Sequence, residues 1–277
     1  MSHKIVFLDI DGTLTTFQGV LPDSAREALQ KANQNGHHMI ICTGRSGTQL
    51  YPQLLEKELF SGYITSAGAD IRLGGLSLVQ YSIPAEPLHH ALDVLESLHA
   101  YYFLQCPDGV FADPETALAA PELISAGTMD PKDAERMFGK VSVREDIRST
   151  KNCQKLCFYQ AHSTIEEIQK RLGVFFETLT SSFAVSDSCD GEIMVRGYDK
   201  GTAMQKVLDA TGTDRRDTIA FGDGPNDKVM LEFAQTGVAM GNASDDLKRA
   251  ADLVTDRVDR DGLYKGFRMT GLINLER

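Results

Sequence analysis

No stretch of the sequence approaches the ~18 consecutive apolar residues that a membrane-spanning helix needs, which excludes a helical membrane protein. There is no block of lysine or arginine either. The 277 residues carry 28 basic against 39 acidic side chains, a formal charge of −11. Such a balance repels the phosphates of nucleic acids and anionic lipid surfaces, so neither is an expected partner. Cysteine is sparse and odd in number: Cys42, Cys106, Cys153, Cys157 and Cys189. A disulfide framework is not expected from that count, and Cys153 and Cys157 lack a second pair or a histidine at zinc-site spacing. His37-His38 and His89-His90 are sequence neighbours, which point to different faces, so none of the seven histidines is expected to hold a metal. Before Asp9 the apolar run is only Ile5 to Leu8, short of the ~7–15 residues of a secretory signal core, and a cytoplasmic location is expected. Repeats and low-complexity tracts are also missing.

What is present is a globular composition, 42% hydrophobic and 24% charged, at a length that suits two compact domains or one large one. Short apolar runs alternate with helical periodicity at both ends. Lys4 to Leu8 reads as a buried strand. Ser24-Ala25-Arg26-Glu27 has capping-box form, with Ala25, Ala28, Leu29 and Ala32 at helical spacing and Gly36 as terminator. Met39 to Cys42 and Tyr63 to Thr65 read as strands. Towards the C-terminus a helix carries Met204, Val207, Leu208 and Thr211 up to Gly212, and the strand Thr218 to Phe221 follows. A helix through Met230, Phe233 and Ala234 is expected to end at Gly237, then come strand Val238 to Met240, a helix through Leu247 and Ala250, and strand Leu253 to Thr255. This alternation predicts a parallel sheet covered by helices on both faces.

The middle reads as α+β. Ile71 to Ile83 suggests a hairpin around Gly74-Gly75, a helix carries Leu88, Ala91, Leu92 and Leu95, and another carries Ile165, Ile168 and Leu172. Tyr101 to Gln105, Leu156 to Gln160 and Phe183 to Ser186 are strand-like. The expected organisation is an α/β core formed by 1–83 and 189–277, with an α+β unit inserted over 84–188.

The unusual polar residues collect at strand ends. Asp9-Ile10-Asp11-Gly12-Thr13-Leu14 leaves the first strand, Thr43-Gly44-Arg45 the second, and Gly222-Asp223-Gly224-Pro225-Asn226-Asp227 the strand ending at Phe221. Ligands of open α/β sheets bind beyond the carboxyl ends of the strands, so these loops can converge. Lys200 stands before the Met204 helix, where a cation opposes the helix dipole and calls for an anion in front of it. Several carboxylates side by side ask for a cation, and all-oxygen ligands suit Mg²⁺. With the Thr43 hydroxyl, the Lys200 ammonium and the backbone N–H groups around Gly12, they compose a cradle for a phosphoryl group. An aspartate can attack phosphorus, and a second carboxylate two residues on can serve the leaving oxygen and then water.

These motifs, with Gly197-Tyr198-Asp199-Lys200-Gly201 and Met240-Gly241-Asn242-Ala243, resemble the haloacid dehalogenase-like (HAD) hydrolase superfamily across nearly the whole chain, and within it the Cof-type, class IIB-capped phosphatases. The resemblance implies a Rossmann-like core with an inserted cap. It implies Asp9 as nucleophile and metal ligand, and Asp11 as acid/base that lends its backbone carbonyl to Mg²⁺. Thr43 and Lys200 would hold the phosphoryl group, Asp223 and Asp227 the metal, and Asn226 would orient the set. Gly12, Gly44, Arg45 and Asn242 would complete the phosphate and substrate contacts, Asn242 as a supporting contact to phosphate or to Lys200. One departure stands out: Ala67-Gly68-Ala69 occupies the place where the family usually has Asn-Gly-Ala.

The implied activity is Mg²⁺-dependent hydrolysis of small phosphorylated metabolites, sugar phosphates or related phosphomonoesters, through an aspartyl-phosphate. A phosphomutase of the phosphomannomutase kind and a non-enzymatic phosphate-ligand sensor are the alternatives. The expected partner is a small phosphorylated substrate, bound by a monomer or weak homo-oligomer. In the cap, His99, Tyr101, Arg144, Lys155 and Tyr159 are candidates to meet the leaving group, whereas Glu192 reads as a strand-end surface acid.

Overall fold

A computed structural model describes residues 3–125, 139–181 and 188–274. The chain divides into two compact units, one formed by Met1–Gly44, Leu50–Val79 and Asp199–Arg277, the other by Arg45–Gln49 and Gln80–Tyr198.

The first unit is built on an eight-stranded sheet: β1 (Ile5–Leu8), β2 (His38–Cys42), β3 (Gly62–Thr65), β4 (Asp70–Leu73), β5 (Leu76–Gln80), β12 (Thr218–Gly222), β13 (Thr236–Ala239) and β14 (Leu253–Val254). The order is β14-β13-β12-β1-β2-β3-β4-β5. The pairs from β14 to β3 are parallel, and β4 runs antiparallel to β3. All four side chains of β1 are buried, and they alternate. Val6 and Leu8 pack with Ala25, Ala28 and Leu29 of α1 (Asp23–Gln34) and with Leu263 and Phe267 of α8 (Gly262–Met269). Ile5 and Phe7 pack on the opposite face with Met204, Val207 and Leu208 of α5 (Lys200–Thr211), Met230 and Leu231 of α6 (Lys228–Phe233), and Leu247 of α7 (Asp245–Ala250). A strand apolar on both sides needs a helical layer on each, and that is the arrangement seen.

The second unit has a six-stranded sheet ordered β10-β11-β9-β6-β7-β8, from β6 (Tyr101–Cys106), β7 (Gly109–Ala112), β8 (Val141–Val143), β9 (Lys155–Tyr159), β10 (Phe176–Thr180) and β11 (Gly191–Val195). One face carries Tyr102, Leu104, Leu156, Phe158 and Ile193, in one apolar cluster with Leu88, Leu92 and Leu95 of α2 (Ala85–Ser97) and Ile168 and Leu172 of α4 (Ile165–Leu172). On the other, Phe103, Val110, Cys157 and Tyr159 cluster with Ala120 and Leu123 of α3 (Pro114–Ser125).

Several expectations are corrected. The second junction is at Tyr198/Asp199 instead of 188/189, because Gly191–Val195 forms an antiparallel ladder with β9 and β10 and belongs to the inserted sheet. The first is at Val79/Gln80 instead of 83/84, and Arg45–Gln49 groups with the second unit. Helix α1 starts at Asp23 behind Pro22, which takes the N-cap position without a side-chain cap, so the Ser24 capping box does not form. Gly237 does not terminate a helix; it lies in β13, where a Cβ would come 2.5 Å from the Leu231 carbonyl oxygen of α6. A side chain there would push α6 off the sheet. The expected strand at Phe183 to Ser186 falls outside the described residues.

No helix among the described residues is long and apolar enough to cross a membrane. Four of the five cysteines are buried and all are free thiols.

Candidate active site

The carboxyl ends of β1, β2 and β12, with the start of α5, bring the acidic motifs of the first unit together. Asp9 follows β1 directly, its N–H donating to the Phe221 carbonyl of the neighbouring strand at 3.1 Å. The chain then turns back on itself: Gly12 N–H reaches the Thr15 carbonyl at 2.8 Å and Thr15 N–H the Ile10 carbonyl at 2.8 Å. Gly12 has φ of +80°, and a Cβ there would stand 2.1 Å from Asp223 Oδ2. Only glycine lets the loop approach the second acidic loop so closely.

Lys200 is the first residue of α5. It is oriented by a reciprocal cap, in which Asp199 Oδ1 accepts from Thr202 N–H at 2.7 Å and Thr202 Oγ1 accepts from Asp199 N–H at 3.0 Å. A cation at this end of a helix is disfavoured by the dipole, and two carboxylates offset the disadvantage. Lys200 Nζ donates to Asp9 Oδ1 and to Asp227 Oδ1, each at 2.5 Å, with the lysine and Asp227 both essentially fully buried. The other Asp227 oxygen accepts from the N–H groups of Asp223 at 2.9 Å and Gly224 at 2.8 Å. Asp227 therefore fixes both the lysine and the loop that carries Asp223. That second acid is held by Thr13 Oγ1 at 3.0 Å on Oδ1 and by Asn242 Nδ2 at 3.0 Å on Oδ2.

Asp9, Asp223 and Asp227 each present a carboxylate oxygen within 4.8 Å of the others. Burial, then the adjacent Asp227, pushes Asp9 up to about 7. Burial, then Asp9 and Asp227, pushes Asp223 up to about 8. For Lys200 burial alone would lower the pKa, but Asp227 and Asp9 outweigh it and drive the value upward. Three acids thus face one lysine, and the surplus negative charge is set on hard oxygen donors. A small divalent cation fits that donor set.

Of the residues singled out in the sequence, Asp9, Gly12, Lys200, Asp223, Asp227 and Asn242 form one connected network. Asn242 bonds the Gly12 carbonyl at 2.9 Å and Asp223, while its own oxygen accepts from Val258 N–H; it sits on the acidic loops instead of on Lys200. Thr43 is buried at the end of β2, where the pairing of Leu8 with Ile41 carries it level with Ile10; its N–H donates to the Ile64 carbonyl. Gly44 follows it, half-buried, and Asn226 is half-buried in the 3-10 turn Pro225–Asp227. Arg45 groups with the second unit and donates Nη1 to the Gln49 carbonyl at 3.2 Å. The Asp11 carboxylate accepts from the Tyr51 hydroxyl at 3.2 Å. Nothing local in the sequence points to Tyr51, 40 residues away; Thr13, inside the first motif, could have been found from its place there. Ala67 takes a left-handed conformation (φ 53°, ψ 30°), and its N–H bonds the Thr43 carbonyl at 3.0 Å.

In the second unit, Arg144 stacks on the Phe111 ring at 3.8 Å and Tyr159 meets Phe103 edge-on. Glu192 is not a strand-end surface acid: it is the second residue of β11 and pairs with the buried Lys155 at 3.0 Å.

Residues 6–267 match the family model of haloacid dehalogenase-like hydrolases. The pyridoxal phosphate phosphatase YbhA of Escherichia coli (strain K12) is 30% identical over 260 residues, 92% of this chain and 93% of that protein. The 5-amino-6-(5-phospho-D-ribitylamino)uracil phosphatase YitU of Bacillus subtilis (strain 168) is 27% identical over 94% of this chain and 95% of that protein. Among solved structures, the HAD subclass IIB sugar phosphatase BT4131 superposes with a TM-score of 0.77 at 25% identity, covering 98% of this chain and all of that one.

Proposed function

The chain belongs to the haloacid dehalogenase-like hydrolases, and from that premise we propose that it is a Mg²⁺-dependent phosphatase working through an aspartyl-phosphate at Asp9. Its class, phosphoric monoester hydrolysis of small phosphorylated metabolites, is that of its relatives. The observation that carries the mechanism is the buried chain Asp9–Lys200–Asp227 beside Asp223.

Asp9 attacks phosphorus with the carboxylate oxygen that Lys200 does not occupy. The P–O bond to the alcohol breaks, and Asp11 gives its proton to the departing oxygen. The acyl phosphate now sits on Asp9. Asp11, as carboxylate, takes a proton from water, whose oxygen attacks phosphorus and returns Asp9 free, with inorganic phosphate as the second product. Lys200 has three N–H donors, two engaged by Asp9 and Asp227; the third, with Thr43 and the backbone N–H groups near Gly12, is assigned to the phosphoryl oxygens. Asp9, Asp223 and the Asp11 carbonyl would hold Mg²⁺, with Asp227 fixing the loop behind it. When bound, the ion neutralises phosphoryl charge and the surplus of the three acids. Substrates of the relatives point to sugar phosphates, pyridoxal phosphate and comparable monoesters as the set to assay.

The test is trapping. During turnover with Mg²⁺, borohydride should reduce the acyl phosphate and convert residue 9 to homoserine, read by peptide mass. Asp9→Asn should give neither the adduct nor phosphate release, and EDTA should stop both. Phosphate release by Asp9→Asn at the wild-type rate sinks the reading, and recovery of an isomerised sugar phosphate instead of free sugar would make the enzyme a mutase.

A further inference from the structure

The carboxylate assigned to proton transfer has a partner that the chemistry above leaves unused. Asp11 is half-buried in the loop after β1, and its Oδ1 accepts from the Tyr51 hydroxyl at 3.2 Å. Both residues belong to the first unit. The acceptor stands on a loop, whereas the donor is part of a packed frame. Tyr51 is only 4% exposed and lies in one apolar cluster with Leu14, Leu21 and Leu54. Pro52 follows it, and a residue before proline is confined to extended backbone; Tyr51 has φ −65° and ψ 139°. The 3-10 turn Pro52–Leu54 is closed by the Leu54 N–H on the Tyr51 carbonyl at 2.8 Å. Ring and backbone are both held, so the hydroxyl has a fixed address.

The loop is shaped to meet it. It turns at Gly19, which has φ of +73° and donates its N–H to the Thr16 carbonyl at 2.8 Å. A Cβ on Gly19 would come 2.7 Å from Tyr51 Cζ and 2.9 Å from the hydroxyl oxygen. The missing side chain is therefore the space that the phenol occupies beside Asp11. Gln53, two residues after Tyr51, donates Nε2 to the Gly19 carbonyl at 2.7 Å and straps the same turn.

We infer that Tyr51 is a positioning residue, which holds the Asp11 carboxyl group so that Oδ2 carries the proton exchanged with the leaving oxygen and with water. A protonated carboxyl group accepts at its carbonyl oxygen and donates from its hydroxyl, so a donor on Oδ1 directs the proton to Oδ2. Oδ2 gives that proton to the ester oxygen as the P–O bond breaks, and takes one from water in the second step. The Tyr51 hydroxyl keeps its own proton throughout. Without the bond the carboxyl group turns freely about χ2, and proton delivery loses its preset geometry. This role depends on the phosphatase chemistry assigned to Asp11.

The test uses the full chain with Mg²⁺ and two esters. Glycerol 1-phosphate releases an alkoxide that needs a proton as it leaves; p-nitrophenyl phosphate releases a stabilised anion that does not. The parameter kcat/KM covers the steps up to loss of the alcohol, where Asp11 acts as the acid. Tyr51→Phe keeps the ring and removes the donor. It should lower kcat/KM for glycerol 1-phosphate about tenfold and leave p-nitrophenyl phosphate within about twofold of wild type. In Asp11→Asn the loss on glycerol 1-phosphate should be larger, and adding Tyr51→Phe should bring no further loss. A merely structural role lowers both esters alike, so equal losses overturn the assignment. So does an unchanged ratio, or a tenfold further loss in the Asp11→Asn background. If the wild-type chain hydrolyses neither ester, the phosphatase reading fails and the role of Tyr51 falls with it; failure of the role alone appears only in the variants.

Discussion

Removing metal from the acidic centre and then raising the pH should progressively loosen the fold. Asp9 and Asp223 have folded-state pKa values raised from 3.8 to about 7 and about 8. A carboxyl group whose pKa is raised by folding binds its proton more tightly in the native state. Between the two values the unfolded chain has released the proton and the folded chain has kept it, so stability falls as pH rises. The contribution is complete below pH 4 and gone above about 7 for Asp9 and about 8 for Asp223. At ~1.36 kcal/mol per unit, the Asp9 displacement alone amounts to about 4 kcal/mol. The two acids repel each other, so their contributions overlap instead of adding.

A bound divalent ion replaces the proton and should flatten the curve. Saturation at about 100 times Kd adds ~2.7 kcal/mol wherever binding is strong, above the raised pKa values. The assay is urea unfolding by circular dichroism from pH 5 to 8.5, in EDTA and in Mg²⁺. The EDTA and Mg²⁺ curves should nearly meet at pH 5 and diverge by several kcal/mol at pH 8.5. Asp223→Asn, which removes one of the repelling charges and keeps the shape, should be more stable than wild type in EDTA at pH 8.5. Parallel curves across the range, or an Asp223→Asn protein less stable than wild type there, would refute the reasoning.

Other expectations follow from single contacts. Gly12→Ala places a methyl group against the Asp223 carboxylate at a positive φ, and should lower kcat/KM about 100-fold or more and unfolding free energy by about 1–3 kcal/mol. Lys200→Met leaves Asp9 and Asp227 buried without their cation; activity should vanish and stability fall by about 3–5 kcal/mol at neutral pH, as measured by denaturant titration. Ala67→Gly relieves a left-handed alanine and should raise unfolding free energy by up to about 1 kcal/mol, with activity retained.

The acidic loops were legible because each sits at the end of a short run buried on both faces, as at Ile5–Leu8 and Thr218–Gly222. Such runs announce a parallel sheet, and position at their carboxyl ends does the rest. The inserted sheet was harder to read. Gly191–Val195 precedes the Asp199-Lys200 motif and contains apolar residues like those of the core, so its membership depended on pairing with β9 and β10, which no local pattern encodes. Strands β7, β8 and β10 and helix α3, with Pro121 inside it, carry weak periodicity, so no local pattern marks them. The Tyr51 contact to Asp11, across 40 residues, is likewise a product of folding over distance.

The Lys200–Asp9 contact joins positions 191 residues apart, and β1 finds its parallel neighbour β12 only past residue 218. Synthesis at ~5–20 residues per second leaves the first acidic loop waiting roughly 10–40 seconds for its lysine. Through that interval the ribosome displays β1 without one flank, while the whole inserted sheet emerges. The chain therefore acquires its chemistry last, and a nascent protein cut short before Asp227 would own every residue of the nucleophilic loop and have no working centre.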